Sequence, residues 1–383
     1  MSRIPQLEGL RGLLACYVAV HHLYNFSGLP YNTPWVAWLS HGDSAVHCFI
    51  ILSGFVIFHL LEHAGLSYSN FLVRRFFRIW PVFMVCFLAG IFTAGLEKQV
   101  IAAPFYNSEG IHDVTGKLSN INSQQSHLLA HIFASGTLLH GVIPEKLLRG
   151  AAGAFLGPGW SIAIEWQFYL VAPLIYLLIK GGHPKHRALF IAAVLATLLI
   201  GDQWKRINVA FLPLYANYFA VGALCQHVHS PSRDTKAVAW SPASLLVLAL
   251  FFTNDLGVRI WSLAFLTVVG TPAPLSRLVT RLGSILASRP LTHLGKISYS
   301  IYLIHWPLFV GVIYLLMKRH PASLSSHEVL TSGALFGFPL LYLASLLSWT
   351  VVEKPMIALG RRLSRTKAIL IPTIPIPSQN LRA

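Results

Sequence analysis

The sequence predicts an all-α, polytopic membrane protein of about ten transmembrane helices with both termini cytoplasmic. Three observations carry that prediction. Of 383 residues, 55% are hydrophobic and only 11% charged, with a mean hydropathy of +0.60, well outside soluble globular usage. Apolar runs of roughly 17 to 23 residues recur along nearly the whole chain, each long enough for a tilted helical span. The basic residues cluster in short segments between those runs, where they report orientation.

The first run, 9–24, contains Arg11, His21 and His22 and lacks a small-residue cleavage site, so it reads as a retained helix and not as a signal peptide. Further spans are expected over 45–61, 79–96, 160–180, 188–204, 208–227, 237–253, 257–273, 295–317 and 330–352. The segment 126–142 holds His127, His131 and His140 among small residues and is expected to be shorter, partly buried or interfacial. Leaving it out of the count improves the charge pattern. With a cytoplasmic amino terminus, twenty of the 29 basic residues then fall inside, from Arg3 and Arg11 through Arg74, Arg75 and Arg78 to the six from Lys354 onward. Residues 1–366 are thus expected to form one integral-membrane domain and 367–383 a disordered cytoplasmic tail.

A net charge of +16 could suggest nucleic acid, but the distribution of the charges between spans assigns them to topology and lipid contact instead. Cys16, Cys48, Cys86 and Cys225 have no metal-like spacing and lie in or beside apolar runs, so neither a disulfide framework nor a metal site is expected.

Ionisable groups at membrane depth cost several kcal/mol unless they are paired or line a wet cavity. Arg11 and His22 are eleven residues apart, which on an α-helix is about 20° beyond three full turns and about 16.5 Å of rise. They therefore share a face, with a permanent cation near the inner side and a titratable imidazole near the outer side. His22 can take a proton from an attacking hydroxyl, whereas Arg11 can only bind or polarise. The same spacing also fits two interfacial anchors, and His21 points about 100° away. In the run Arg74, Arg75 and Arg78, positions 74 and 78 share a helical face, so their guanidinium groups can grip one phosphate-bearing ligand; a topology signal with lipid-headgroup contacts explains the same residues.

Glu165 falls about one and a half turns into its span and needs a partner there, with His22 or a substrate hydroxyl as candidates. Ser298, Tyr302 and His305 form a stripe that can line a cavity or serve polar helix packing. Ser53-Gly54 reads as close helix packing, because no nucleophile elbow surrounds it.

Taken in order, these motifs resemble the acyltransferase-3 family of integral-membrane O-acyltransferases. They are Leu7-Glu-Gly-Leu-Arg-Gly12 followed by His22, the Leu52-Ser-Gly-Phe55 segment with His47 before it, the Arg74/Arg75/Arg78 run, Trp160-Ser with Glu165, Leu294-Gly-Lys-Ile-Ser-Tyr299 with His305-Trp-Pro307, and Glu353-Lys-Pro355. The resemblance implies a ten-helix domain with both ends inside, His22 and Arg11 as the principal catalytic pair, and Arg74, Arg75 and Arg78 as acyl-CoA-binding residues. It implies acyl-CoA, acetyl-CoA above all, as donor and a glycan-type hydroxyl as acceptor, in a bacterial inner (plasma) membrane. Two departures stand out: the region before Phe219 and Gly222 lacks an arginine often found there, and no hydrolase-like domain follows. The second implies that the membrane domain completes the transfer itself or hands over to another protein.

The expected chemistry is deprotonation of an acceptor hydroxyl by His22, with Glu165 orienting the imidazole or the acceptor. The competing reading is a non-enzymatic transporter or flippase of a glycan-lipid or acylated substrate, which would also place polar residues along a central cavity.

Overall fold

The computed structural model describes residues 4–32, 34–107, 112–180, 207–229, 253–269, 276–319 and 324–364, with isolated residues between 185 and 205. Every element within them is helical. The principal helices are α1 (Pro5–Ser27), α2 (Gly42–His63), α3 (Tyr68–Ile101), α4 (Val114–Ser126), α5 (Leu128–Gly136) and α6 (Gly159–Lys180). They continue as α7 (Ala216–His229), α8 (Leu256–Val269), α9 (Ser276–Leu286), α10 (Arg289–Arg319), α11 (Ser326–Ser348) and α12 (Lys354–Leu363). The expected span 237–253 lies almost wholly outside the described residues, as does most of 188–204; the tail 367–383 lies entirely outside them.

Local sequence sets the helix ends. Pro5 opens α1 where a missing N–H is harmless, and Gly28 closes it at φ 74° with its N–H on the Asn25 carbonyl. Ser67 caps α3 by accepting the Asn70 N–H at 3.3 Å. Ser325 and Glu328 form a reciprocal capping box at the start of α11.

Five helical stretches are long and apolar enough to cross a membrane: Gly42–His63, Tyr68–Ile101, Gly159–Lys180, Arg289–Arg319 and Ser326–Leu363. The last joins α11 to α12 through a π-helical turn, Trp349–Glu353. With 23 residues α1 extends about 34 Å, also a sufficient length. Large apolar side chains such as Phe92, 83% exposed, and Leu340 point away from the bundle, as a lipid-facing surface requires.

Several segments are shorter than the hydropathy pattern predicts. Within 208–227 the helix starts only at Ala216, and 207–215 runs as turns with a 3₁₀ turn at Leu212–Tyr215. Buried amides hold that backbone in place of a helical ladder. Gln167 donates to the Ala210 carbonyl at 2.9 Å and accepts the Leu212 N–H at 3.0 Å, while Asn208 donates to the Ile143 carbonyl at 2.8 Å. Non-helical backbone is stable at membrane depth when protein groups satisfy it in this way. Of 257–273, α8 covers the part up to Val269. In 126–142, α5 has nine residues and rises about 14 Å, too short to cross.

Close approach of small residues ties the bundle together. A Cβ on Gly12 would stand 2.8 Å from the Gly295 nitrogen, which seats α1 against α10 in parallel. A Cβ on Gly54 would lie 2.5 Å from the Phe219 carbonyl oxygen, and one on Gly222 would collide with the Ile51 carbonyl, which seats α2 on α7. Backbones this near gain dispersion contacts that lipid cannot match, the usual origin of small-residue interfaces in membranes.

Candidate active site

Helices α1, α2, α3, α6 and α10, with Phe219 of α7, line a partly open cavity of about 140 Å³. Arg11 reaches it from α1, Ser53 from α2, Arg75 and Arg78 from α3, Ser161, Glu165 and Tyr169 from α6, and Ser298, Tyr299 and Tyr302 from α10. Three guanidinium groups thus face one space, and their partners separate their roles.

Arg78 donates to Glu353 at 2.5 Å, and the Glu353 side chain is fully buried and also accepts from Ser300 at 2.9 Å. The π-helical turn at 349–353 delivers this carboxylate from α11 to α3. Arg74 donates from Nε to the Ser364 hydroxyl at 2.7 Å. Arg11 pairs with Glu8 at 3.5 Å. Arg75 has no carboxylate partner among the described residues: its guanidinium lies 5.7 Å from the ring centres of both Phe71 and Tyr169, and its buried Nε is unpartnered. An unpaired cation on a cavity wall is the natural seat for an anion.

Glu165 is held by Ser53, 3.3 Å away, and by the Tyr169 hydroxyl. The structure therefore places it in the arginine-lined part of the cavity, with hydroxyl partners rather than His22. Also on the wall, Ser161 and Tyr302 share a 2.7 Å hydrogen bond. The stripe expected on α10 divides there: Ser298 and Tyr302 line the cavity, and His305 lies one turn beyond, its ring centre 6.2 Å from that of Tyr302.

His22 meets His305. His22 Nδ1 lies 2.9 Å from His305 Nε2, the rings stack at 4.9 Å, and His305 is wholly buried. His305 Nδ1 faces the Ile301 carbonyl at 3.1 Å. A carbonyl only accepts, so His305 carries its proton on Nδ1 and presents a lone pair at Nε2. His22 must then donate from Nδ1, which leaves its own Nε2 as a lone pair. Trp306 packs edge-on to His22 at 5.2 Å and donates to the buried Glu97 carboxylate at 3.3 Å. Since α1 is unbroken, Arg11 and His22 keep their common face; Arg11 lines the cavity and His22 stands outside its lining. His21 instead bonds the Leu39 carbonyl from Nδ1 at 2.5 Å.

Sequence reasoning overlooked the roles of Glu353, Glu97 and the Asp255 carboxylate, which accepts from His47 at 3.0 Å and from Tyr218 at 2.8 Å. The signal for each was an acidic residue at the end of an apolar run. Among the described residues no metal-ligating cluster of three His, Cys, Asp or Glu side chains converges.

A family model described as an acyltransferase domain, that of the acyltransferase-3 family, matches residues 4–353. The chain is 25% identical to BcsY of Komagataeibacter xylinus, provisionally named a membrane-bound transacylase, over 92% of this chain and 83% of that one. It is 24% identical to the peptidoglycan O-acetyltransferase OatA of Listeria monocytogenes over 80% of this chain and 49% of that protein. With the acyltransferase MdmB of Streptomyces mycarofaciens it shares 24% identity over 94% of this chain and 93% of the relative. The chain spans about half the length of the peptidoglycan O-acetyltransferases it matches. No solved structure matches it.

Proposed function

From the membership of this chain in the acyltransferase-3 family of membrane acyltransferases, we propose that it moves an acyl group, acetyl in the first instance, from cytoplasmic acyl-CoA to a saccharide hydroxyl on the opposite side of a bacterial inner membrane. The observation that carries this reading is the arginine-lined cavity of about 140 Å³ whose wall includes Ser161 and Tyr302, with the His22–His305 pair one helical turn along α10 from Tyr302. It supports a donor entering from the arginine end and an acceptor meeting it at the histidine end.

In this mechanism Arg75 binds a donor phosphate, while Arg78 and Arg74, engaged with Glu353 and Ser364, shape the entrance. Arg11 adds positive potential from the opposite wall. Glu165 holds Ser53 and Tyr169 in place along the path of the pantetheine arm. Nε2 of His22 accepts the acceptor's hydroxyl proton as its oxygen attacks the thioester carbonyl, and the C–S bond then breaks. The proton passes from the imidazolium to the departing CoA thiolate. His305 receives the Nδ1 hydrogen bond of His22 throughout, which stabilises the imidazolium as charge develops. The catalytic unit is residues 1–366.

Thiol release from acetyl-CoA by the detergent-purified protein, with saccharide acceptors present, tests the reading. His22→Ala should lower the rate 10²- to 10⁴-fold, and Arg75→Ala should raise the acetyl-CoA KM with little change in kcat. A His22→Ala protein that keeps the wild-type rate would remove His22 as the base.

A further inference from the structure

Beside the cavity lies a cluster that the transfer chemistry above does not use. Four rings form a continuous wall. Trp160 lies 5.6 Å from Tyr215, Tyr215 lies 6.4 Å from Tyr218, and Tyr218 stacks on His47 at 4.3 Å with only 19° between their planes. All four are half-buried. At one end of the wall the Asp255 carboxylate accepts from both His47 Nδ1 and the Tyr218 hydroxyl through the same oxygen. Its other oxygen caps α8 through the Val258 N–H at 3.0 Å. Asp43, exposed at the start of α2, lies one helical turn before His47 and acts electrostatically on both tyrosines.

The chemistry of this wall selects among ligands. Burial alone would raise the Asp255 carboxyl, but the hydrogen bonds from His47, Tyr218 and Val258 hold it well below the usual carboxylate range, so it is ionised. Neither Asp255 nor Asp43 is paired with a lysine or arginine among the described residues. Two carboxylates without a lysine or arginine partner disfavour phosphates and other anions. They accept hydrogen bonds from neutral hydroxyls, and such charge-assisted bonds are roughly twice as strong as neutral ones. The aromatic faces suit the C–H face of a pyranose ring and are spaced on the order of one sugar unit. With its Nδ1–H on Asp255, His47 keeps Nε2 for a ligand hydroxyl. The wall adjoins the cavity: Trp160 precedes the cavity residue Ser161, and His47 stands between the cavity residues Val46 and Phe49.

We infer that Trp160, Tyr215, Tyr218 and His47, with Asp255 and Asp43, form the binding subsite for a neutral saccharide chain and present one of its hydroxyls to the transfer site. The inference rests on the acyltransferase reading for its purpose, but binding can be measured apart from transfer.

The test is intrinsic tryptophan fluorescence of the detergent-purified full chain titrated with β-linked glucose and N-acetylglucosamine oligosaccharides, and separately with tetramethylammonium chloride. Wild type, Trp160→Leu, Tyr218→Phe and Asp255→Asn are compared, since asparagine keeps the helix cap while removing the charge. An oligosaccharide should bind wild type, and Asp255→Asn should weaken that binding at least tenfold at an unchanged thermal midpoint. In thiol-release assays the same variants should raise the saccharide KM at least tenfold while the acetyl-CoA KM stays within twofold. Absence of saccharide binding to wild type, equal binding by wild type and Asp255→Asn, or a response to tetramethylammonium alone overturns the inference. Saccharide binding without thiol release from any donor would leave the subsite standing and remove the acyltransferase reading instead.

Discussion

Replacing His305 tests the proton chain on which catalysis is proposed to depend. In the wild type the 2.9 Å contact between His22 Nδ1 and His305 Nε2 fixes the lone pair of His22 on Nε2. His305→Ala removes that acceptor, and the imidazole of His22 is free to carry its proton on either nitrogen. A hydrogen bond to a group that becomes charged contributes about 1.5–3 kcal/mol. Lost from the transition state alone, that energy corresponds to a fall in kcat of roughly 10- to 150-fold, at about 1.36 kcal/mol per decade. His305 lies outside the cavity wall, so the acetyl-CoA KM should hold. His305→Gln, whose amide oxygen can accept from Nδ1, should recover most of the rate. Saturation kinetics of thiol release for the three proteins, alongside their thermal midpoints, check this. Wild-type kcat in His305→Ala, or an equal loss in His305→Gln, would refute the tautomer argument.

Glu353→Ala should destabilise the protein by about 3 kcal/mol, the low end for breaking a buried ion pair because Arg78 keeps some solvent access; replacing both residues by methionine should cost less than the single change, as a double-mutant cycle in detergent will reveal. Gly222→Val puts a side chain into the Ile51 carbonyl and should separate α2 from α7, lowering the yield of folded protein measured by size-exclusion chromatography, while Gly311→Ala, which meets nothing nearby, should not. His112, His131 and His140 have pKa values pushed down to about 4, chiefly by burial. The unfolded chain, with histidines near 6.5, binds the extra protons first, so stability is fully present above about pH 6.5 and should be lost progressively toward pH 4, as thermal midpoints across that range will show.

The long helices were legible because their cause is local: an unbroken apolar run of sufficient length has no other stable form in a bilayer. The register of Arg11 and His22 was legible for a similar reason, since α1 carries no internal proline or glycine pair to break the 3.6-residue repeat between them. Where the structure departs from the hydropathy pattern, the cause is distant in sequence. Residues 207–215 are apolar enough for a helix, and what unwinds them is Gln167, some forty residues earlier, whose amide serves both an orphan carbonyl and an orphan N–H. No window centred on 208–227 contains that side chain.

The same distinction applies to the arginine motif. In the sequence Arg74 and Arg78 share a helical face and Arg75 lies beside them, so charge alone does not tell which is left for a ligand. Their difference is imposed from nearly three hundred residues away, where the π-helical turn carries Glu353 into contact with Arg78 and the end of α12 brings Ser364 to Arg74. An extra residue in a helical turn rotates everything after it, and that rotation is what aims the carboxylate inward. Arg75 is left with two aromatic faces and an unpartnered Nε. Pairing Arg78 and Arg74 thus does more than stabilise the bundle: among the described residues it leaves Arg75 as the member of the triplet without a carboxylate or hydroxyl partner, and on the proposed mechanism that fixes where a donor phosphate would sit.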